Sequence, residues 1–295
     1  MMFYLPELRK KVVLQIIKVG RGLFKNTRFE SSFLVNYLYK ILFSVGFSGM
    51  SPEVEVIFHG LQFSTSSKDK SMLPGLMNQT YELNEIKFFK SVLRPGWVVL
   101  DIGANIGLYS KIASEIVKAN GHVYCFEPTP VTRTFLGKNL ATCSNTTIVP
   151  MAVGSKSGRI NLYLESENFG CNSLLAKTDN TIEVQMISID DFVAANPQIQ
   201  KIDFIKIDIE GFEEEALAGM INSLKLKPIL MIELNPTFLR QHGRRPEEFL
   251  ISLHQRFGKV SYVCEKTGAL KPLPQIKDLG HQLIANVVLE NPLSS

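Results

Sequence analysis

Four short apolar runs in this 295-residue chain end in residues whose types can bind a ligand or move a proton. WVVLD (97–101) leads into Asp101-Ile102-Gly103-Ala104-Asn105-Ile106-Gly107, and HVYCFE (122–127) ends in Glu127-Pro128. DFIKID (203–208) runs into Asp208-Ile209-Glu210-Gly211, and ILMIEL (229–234) into Glu233-Leu234-Asn235. In an open parallel sheet, ligands bind outside the carboxyl ends of the strands, which makes these four ends the candidate site. Gly103 and Gly107 let the backbone pass close to a ligand and open the following helix. A dinucleotide enzyme would place G-x-G-x-x-G here, with amides facing a pyrophosphate. D-x-G-x-x-x-G stands instead, and its acid disfavours a diphosphate while suiting a positive centre. A carboxylate at Glu127 can accept hydrogen bonds from both hydroxyls of a ribose. A cationic, ribose-bearing ligand without phosphates describes S-adenosylmethionine, and a nicotinamide-dependent oxidoreductase conflicts with the glycine turn.

The elements that must position these residues follow from periodicity. The four runs, together with TIVPMAV (147–153), alternate with helix-length segments at 107–118, 130–140 and 211–224. Near-continuous apolar strands separated by helices predict a parallel sheet covered on both faces, an α/β class. Between Gly154 and Asp191, GRINLYL and IEVQMIS alternate as a hairpin, in place of one sheet-covering helix. KVSYVCE and ANVVLE read as two further strands near the end. Upstream, VEVIF (54–58) reads as a strand, residues 64–71 as a Ser/Lys-rich loop, and YELNEIKFFKSVL as a helix stopped by Arg94-Pro95-Gly96.

Charge divides unevenly. The whole chain carries +4, yet residues 1–50 hold eight basic residues against Glu7 and Glu30, a net +6, and the remaining 245 residues sum to −2. Leu8, Val12, Ile16, Val19 and Leu23 share one helical stripe in that basic segment. The organisation expected is therefore a basic amphipathic arm over 1–50 and one domain over 51–295. Within it lie a lead-in (51–95), a cofactor-binding core (96–235, with the hairpin insertion at about 154–190) and a C-terminal helix and strands (236–295). A slightly acidic body argues against nucleic acid, which needs a basic face. The arm could lie on an anionic membrane surface or pack as a helical lid. Its apolar stretches are broken by Lys18, Arg21 and Lys25, unlike a signal peptide, and FLVNYLYKILFSVGF (33–47) is short for a span. Cys125, Cys143, Cys171 and Cys264 show neither zinc nor disulfide spacing. With Cys125 read as a buried thiol, a reducing, cytoplasmic compartment is expected, at the inner face of a membrane if the arm binds one.

Together, VVLDIGANIGLYS, VYCFEPTP with KNL, AVGSKSG, IDFIKIDIEGFEEEALAG and ILMIELNP resemble the FkbM family of S-adenosylmethionine-dependent methyltransferases, in order from about Tyr81 to about Phe257. The resemblance implies a class I methyltransferase fold, a Rossmann-like doubly wound sheet of seven strands, mostly parallel with an antiparallel C-terminal strand. It implies O-methylation of a sugar, glycolipid or polyhydroxylated metabolite, with S-adenosyl-L-methionine as cofactor. Carried over by position, it sets Asp101, Gly103, Ala104, Asn105 and Gly107 around the methionine part, Glu127 at the ribose and Ala152-Val153 beside the adenine. Lys206, Asp208 and Glu210 fall at the reacting end. Strand alternation also makes Lys206 and Asp208 neighbours, so that the cation favours an ionised carboxylate. A hydroxyl is a poor nucleophile while protonated, and Asp208 or Glu210 is the expected general base. The same carboxylates could hold a divalent ion that polarises the hydroxyl, although no metal is expected. Asn172, Ser173, Glu233, Asn235 and His242 are candidates for contact with the acceptor.

Plainer roles compete with each of these: Asp101 as a helix cap, Glu127-Pro128 as a turn, the Lys206 group as a structural ion pair. No [DN]-P-P-[YF] follows the fourth run, against N-methylation of DNA or protein amides. The alternative function is a non-catalytic, cofactor-binding adaptor, disfavoured because no motif position is degraded. Composition leaves the oligomeric state and the acceptor open.

Overall fold

His59 and Gly60, both at positive φ (50° and 80°), turn the chain between two six-residue strands, β1 (Glu53–Phe58) and β2 (Leu61–Ser66), which pair as an antiparallel hairpin. That turn geometry matches the twist of the flanking strands. The computed structural model describes residues 15–16, 52–163, 181–241, 243–280 and 284–293. Gln15 and Ile16 are helical, and the rest of the basic arm lies outside the described residues. The chain divides into two compact units near Leu83–Asn84. In the described part of the first, β2 takes in residues 64–66 of the loop expected over 64–71, and the rest remains irregular. Phe63 and Thr65 are buried, and cross-strand bonds to β1 satisfy a backbone that its Ser-rich composition left unassigned. Asp69 then accepts the amides of Ser71 and Met72, starting α1 (Leu73–Met77).

The second unit opens at Asn84, within α2 (Leu83–Val92), and continues as strands and helices in alternation. β3 (Val98–Ile102), α3 (Leu108–Val117), β4 (His122–Phe126), α4 (Pro130–Leu140) and β5 (Thr146–Val149) form its first half. The second half comprises β9 (Phe204–Ile207), α6 (Glu213–Ala218), β10 (Ile229–Leu234), α7 (Pro236–Gln241), α8 (Pro246–Arg256), β11 (Phe257–Val263), β12 (Leu270–Pro272) and β13 (Ala285–Pro292). These strands order as β12-β11-β13-β10-β9-β3-β4-β5. β10, β9, β3, β4 and β5 are parallel, while β13 is antiparallel to both β10 and β11. This is the doubly wound Rossmann-like sheet of the class I methyltransferase fold, with β12 as an eighth, three-residue edge strand. The order reverses between β3 and β9, and a ligand crevice opens at such a switch point. Leu100, Ile102, Ile205, Ile207, Leu230 and Ile232 are fully buried on one face. Phe89 stacks edge-on with Tyr109 and Phe204, at 5.0 and 5.3 Å between ring centroids. No described helix is long and apolar enough to cross a membrane.

Two local expectations change. TIVPMAV is two strands: β5 stops before Pro150, which has no N–H to donate, and β6 (Ala152–Val153) pairs with a different sheet. There β7 (Gly158–Tyr163) and β8 (Thr181–Ile187) form the expected hairpin, with β6 parallel to β8. The hairpin supplements the crossover helix instead of replacing it. α5 (Ile189–Ala195), capped by Ser188 accepting the Asp191 amide, returns the chain to the sheet and packs Phe192 against Phe126 at 4.8 Å.

Three turns position the site. After β3, the amides of Gly103 and Ala104 bond to the Phe126 carbonyl at 3.0 and 2.9 Å, tying the turn to β4. Gly103 (φ 84°) lies so close to the Asp208 carbonyl that a β-carbon there would collide with it. Gly107 (φ 88°) caps α3, and a β-carbon there would come within 2.7 Å of Leu136 on α4. After β9, the buried Glu213 carboxylate accepts the amides of Ile209 and Gly211 at 3.2 and 3.1 Å and so holds the turn that carries Asp208 and Glu210. Burial pushes the Glu213 carboxyl up to about 7, against those amide bonds.

Gly103→Ala meets both a steric and a backbone penalty, and denaturant unfolding should show a loss of roughly 2–4 kcal/mol. For Glu213 the folded carboxyl binds its proton more tightly than the unfolded one, so wild-type stability falls as pH rises from about 4.5 to about 7. Glu213→Gln cannot titrate. Its stability relative to wild type should rise by about 2 kcal/mol across that window, measured by urea unfolding at each pH.

Candidate active site

Sequence placed Asp101 beside a cofactor, and the fold buries it at the end of β3, only 2% exposed. One carboxylate oxygen accepts the Ser110 hydroxyl at 2.6 Å, while Oδ1 is buried with no hydrogen-bond partner among the described residues. Burial raises the Asp101 carboxyl above the usual range, opposed by the nearby Lys206 charge and the Ser110 bond. A buried acceptor left open next to a glycine turn is a place for a donor to arrive.

Glu127 ends β4 and joins two turns. Its Oε2 accepts the Asn105 amide at 3.0 Å and its Oε1 the Thr129 amide at 2.8 Å. Asn105 itself sits at φ 50°, a left-handed conformation that asparagine tolerates better than most residues. Burial raises the Glu127 carboxyl, and the Thr129 and Asn105 bonds work against that rise. The Thr129 hydroxyl bonds to the same carboxylate, a third donor on a group with about four acceptor sites. Asn139, from α4, donates to the Ile106 carbonyl at 2.7 Å and fixes the far side of the glycine turn.

At the neighbouring switch-point strand, Lys206 is 2% exposed and points along the sheet face to Asp208, with Nζ 2.7 Å from Oδ2. The same ammonium lies 4.4 Å from the Tyr109 ring centre, a cation–π contact that offsets part of its desolvation. Beyond it, Asp208, Glu210 and Glu233 are half-buried and bring one oxygen each within 4.8 Å of the others. Three carboxylates so close could hold a divalent cation or share a proton taken from an acceptor. Glu210 holds φ 56° and Gly211 φ 99°, so the chain reverses sharply just after Asp208.

The remaining sequence candidates separate. Asn235 accepts the amides of Thr237 and Phe238 at 3.1 and 3.2 Å and starts α7, which occupies its carbonyl in capping. Ala152 and Val153 lie in β6, 3% and 2% exposed, with side chains in the apolar core. Asn172, Ser173 and His242 lie outside the described residues. Sequence reading missed Ser110, Tyr109, Thr129 and Glu213. An acid two residues after a turn glycine, as in Gly211-Phe212-Glu213, was the available signal for the last. The first two carry no local mark, because their roles depend on α3 lying across β3 and β9. Cys125 is the buried thiol expected, its ionisation suppressed by burial.

Known proteins resemble the chain in the same region. Residues 101–256 match the Methyltransferase FkbM domain. Hexuronic acid methyltransferase AglP of Haloferax volcanii is 31% identical over 139 residues, which are 47% of this chain and 56% of that protein. The chain thus spans little more than half the length of that relative. Among solved structures, an S-adenosylmethionine-dependent O-methyltransferase from Thermotoga maritima aligns at 12% identity, covering 87% of this chain and 81% of its own, with a TM-score of 0.42. A precorrin-6y C5,15-methyltransferase from Geobacter metallireducens aligns at 17% identity over 72% and 88%, with a TM-score of 0.40. With more than half of its residues matching that domain, the chain belongs to the FkbM methyltransferase family.

Proposed function

We propose that this protein is an S-adenosylmethionine-dependent O-methyltransferase that acts on a hydroxyl of a sugar or sugar-bearing molecule. One observation carries the reading: at the sheet's switch point, a glycine turn with an open buried acceptor abuts a turn bearing clustered carboxylates. The acids at the ends of β3 and β4 suit a cationic nucleoside. Asp101 Oδ1, an open acceptor, would lie beside the methionine part, and Glu127 at the end of β4 would accept a ribose hydroxyl. The cofactor supplies a methyl group on a sulfonium, open to in-line displacement by an acceptor oxygen. The chain's task is then to align that oxygen, exclude water and take its proton.

Asp208 and Glu210 are the candidate bases, since both lie at the cleft beside Gly103 and Asp101. Lys206 holds Asp208 in one orientation through the 2.7 Å ion pair. Glu233 completes the carboxylate group and can bond a second hydroxyl of the acceptor. Should a divalent ion bind there, Asp208, Glu210 and Glu233 would be its ligands, and it would polarise the acceptor hydroxyl. The AglP relative, named for a hexuronic acid, supports a sugar acceptor. Three carboxylates favour a neutral hydroxyl over an acceptor carboxylate, which they would repel.

Calorimetric titration should give saturable S-adenosylhomocysteine binding and none of NAD. Glu127→Gln should weaken the former about tenfold, the cost of a charge-assisted bond. Transfer of labelled methyl to a panel of hexose and hexuronic acid glycosides tests the chemistry. Whichever of Asp208→Asn and Glu210→Gln removes the base should lower kcat by about 100-fold or more with cofactor affinity kept. If both variants turn over near the wild-type rate, this carboxylate group is not the base.

A further inference from the structure

At the opposite end of the sheet from the candidate site lies a groove that no step of the proposed chemistry uses. A 3₁₀ turn (Ser223–Leu226) precedes β10, α8 ends at Arg256 before β11, and β13 runs out to Pro292. β10 and β11 begin here and β13, antiparallel to both, ends here, so the groove sits at the amino ends of the parallel strands. It encloses about 580 Å³, within the ~300–1,000 Å³ range of ligand-sized pockets.

Its lining pairs aliphatic with cationic side chains. Ile221 and Leu293 are 55% and 53% exposed, unusual for large apolar residues on one small surface. Lys225 and Lys227 are exposed at the same mouth, and half-buried Arg256 lies deeper, donating to the Leu217 carbonyl at 2.9 Å. No acidic side chain lines the groove among the described residues. Exposed aliphatics flanked by cations form the pattern of a surface that rests in an anionic lipid interface, with the chains entering the acyl boundary and the cations meeting headgroups. The chain's own first fifty residues, at +6, carry the same sign as the groove and are disfavoured as its occupant.

We propose that this groove docks on a membrane surface by taking an anionic phospholipid, with the headgroup against Lys225, Lys227 and Arg256 and apolar contact through Ile221 and Leu293. The proposal stands apart from the proposed activity, but it has a consequence for it. β10 spans six residues, about 20 Å at ~3.3 Å per residue, so a docked protein would open its carboxylate end away from the headgroups. The acceptor hydroxyl would then be reached on a soluble molecule or on the outer sugars of an extended glycan, not at a lipid-proximal position.

Co-sedimentation of the full-length protein with phosphatidylcholine vesicles, with and without phosphatidylglycerol, tests this. Wild type should pellet with the anionic vesicles and stay in solution with the neutral ones. Lys225→Glu/Lys227→Glu and, separately, Ile221→Ser/Leu293→Ser should each lower the partition about tenfold or more while keeping the wild-type unfolding midpoint. All four side chains are exposed, so neither pair removes core packing. Wild type failing to pellet, as it would if the groove served an acidic protein, overturns the proposal. Folded variants that pellet like wild type overturn it too, and place the binding elsewhere, such as in residues 1–50.

Discussion

The backbone of Gly103 lies against the carbonyl of Asp208, where no side chain fits. Everything at the candidate site depends on that approach. The Asp208 amide bonds to the Ile102 carbonyl at 3.0 Å, so the ends of β3 and β9 advance together. A turn suited to a cofactor and a turn rich in carboxylates, about a hundred residues apart in sequence, thereby share a wall. A single β-carbon would force them apart, and displacements of an ångström matter when reacting atoms must be held near contact.

Buried acids hold this arrangement as much as glycine does. Asp101, Glu127 and Glu213 are each less than a tenth exposed, and burial raises all three carboxyls. Each is offset by donors from a turn that it organises: Ser110 for Asp101, the Asn105 and Thr129 amides for Glu127, the Ile209 and Gly211 amides for Glu213. Lys206 supplies the opposite charge, tolerated inside the sheet because Tyr109 covers it and Asp208 pairs with it. Only Asp101 keeps a buried oxygen without a partner among these three, and it does so beside the glycine turn.

The two ends of the sheet carry opposite characters. Carboxylates gather where the parallel strands finish, and lysines and an arginine where β10 and β11 begin. The net −2 of residues 51–295 conceals this division, since the two groups nearly cancel in any sum. Charge counted along the chain describes the body poorly, because a body's charge acts through where its surface presents it.

Strand and helix periodicities, the glycine turn and the acids at strand ends were legible in sequence because each is set by neighbours within a few residues. β3, β4, β9 and β10, the α4 segment and the β7–β8 hairpin all follow from such local rules. The split at Pro150 was written in a single residue, yet its outcome, β6 joining β8, needed a partner over thirty residues away. Asn235 shows the limit from the other side: its side-chain oxygen caps α7, a role set by where that helix starts. The residue types and their order along each strand were determined by sequence alone. Which carboxylate faces which cation, how Glu213 reaches back to hold its turn, and how Arg256 reaches the Leu217 carbonyl were decided by tertiary structure. Those contacts join segments that covalent geometry leaves independent, and sheet pairing and packing alone bring them within bonding distance.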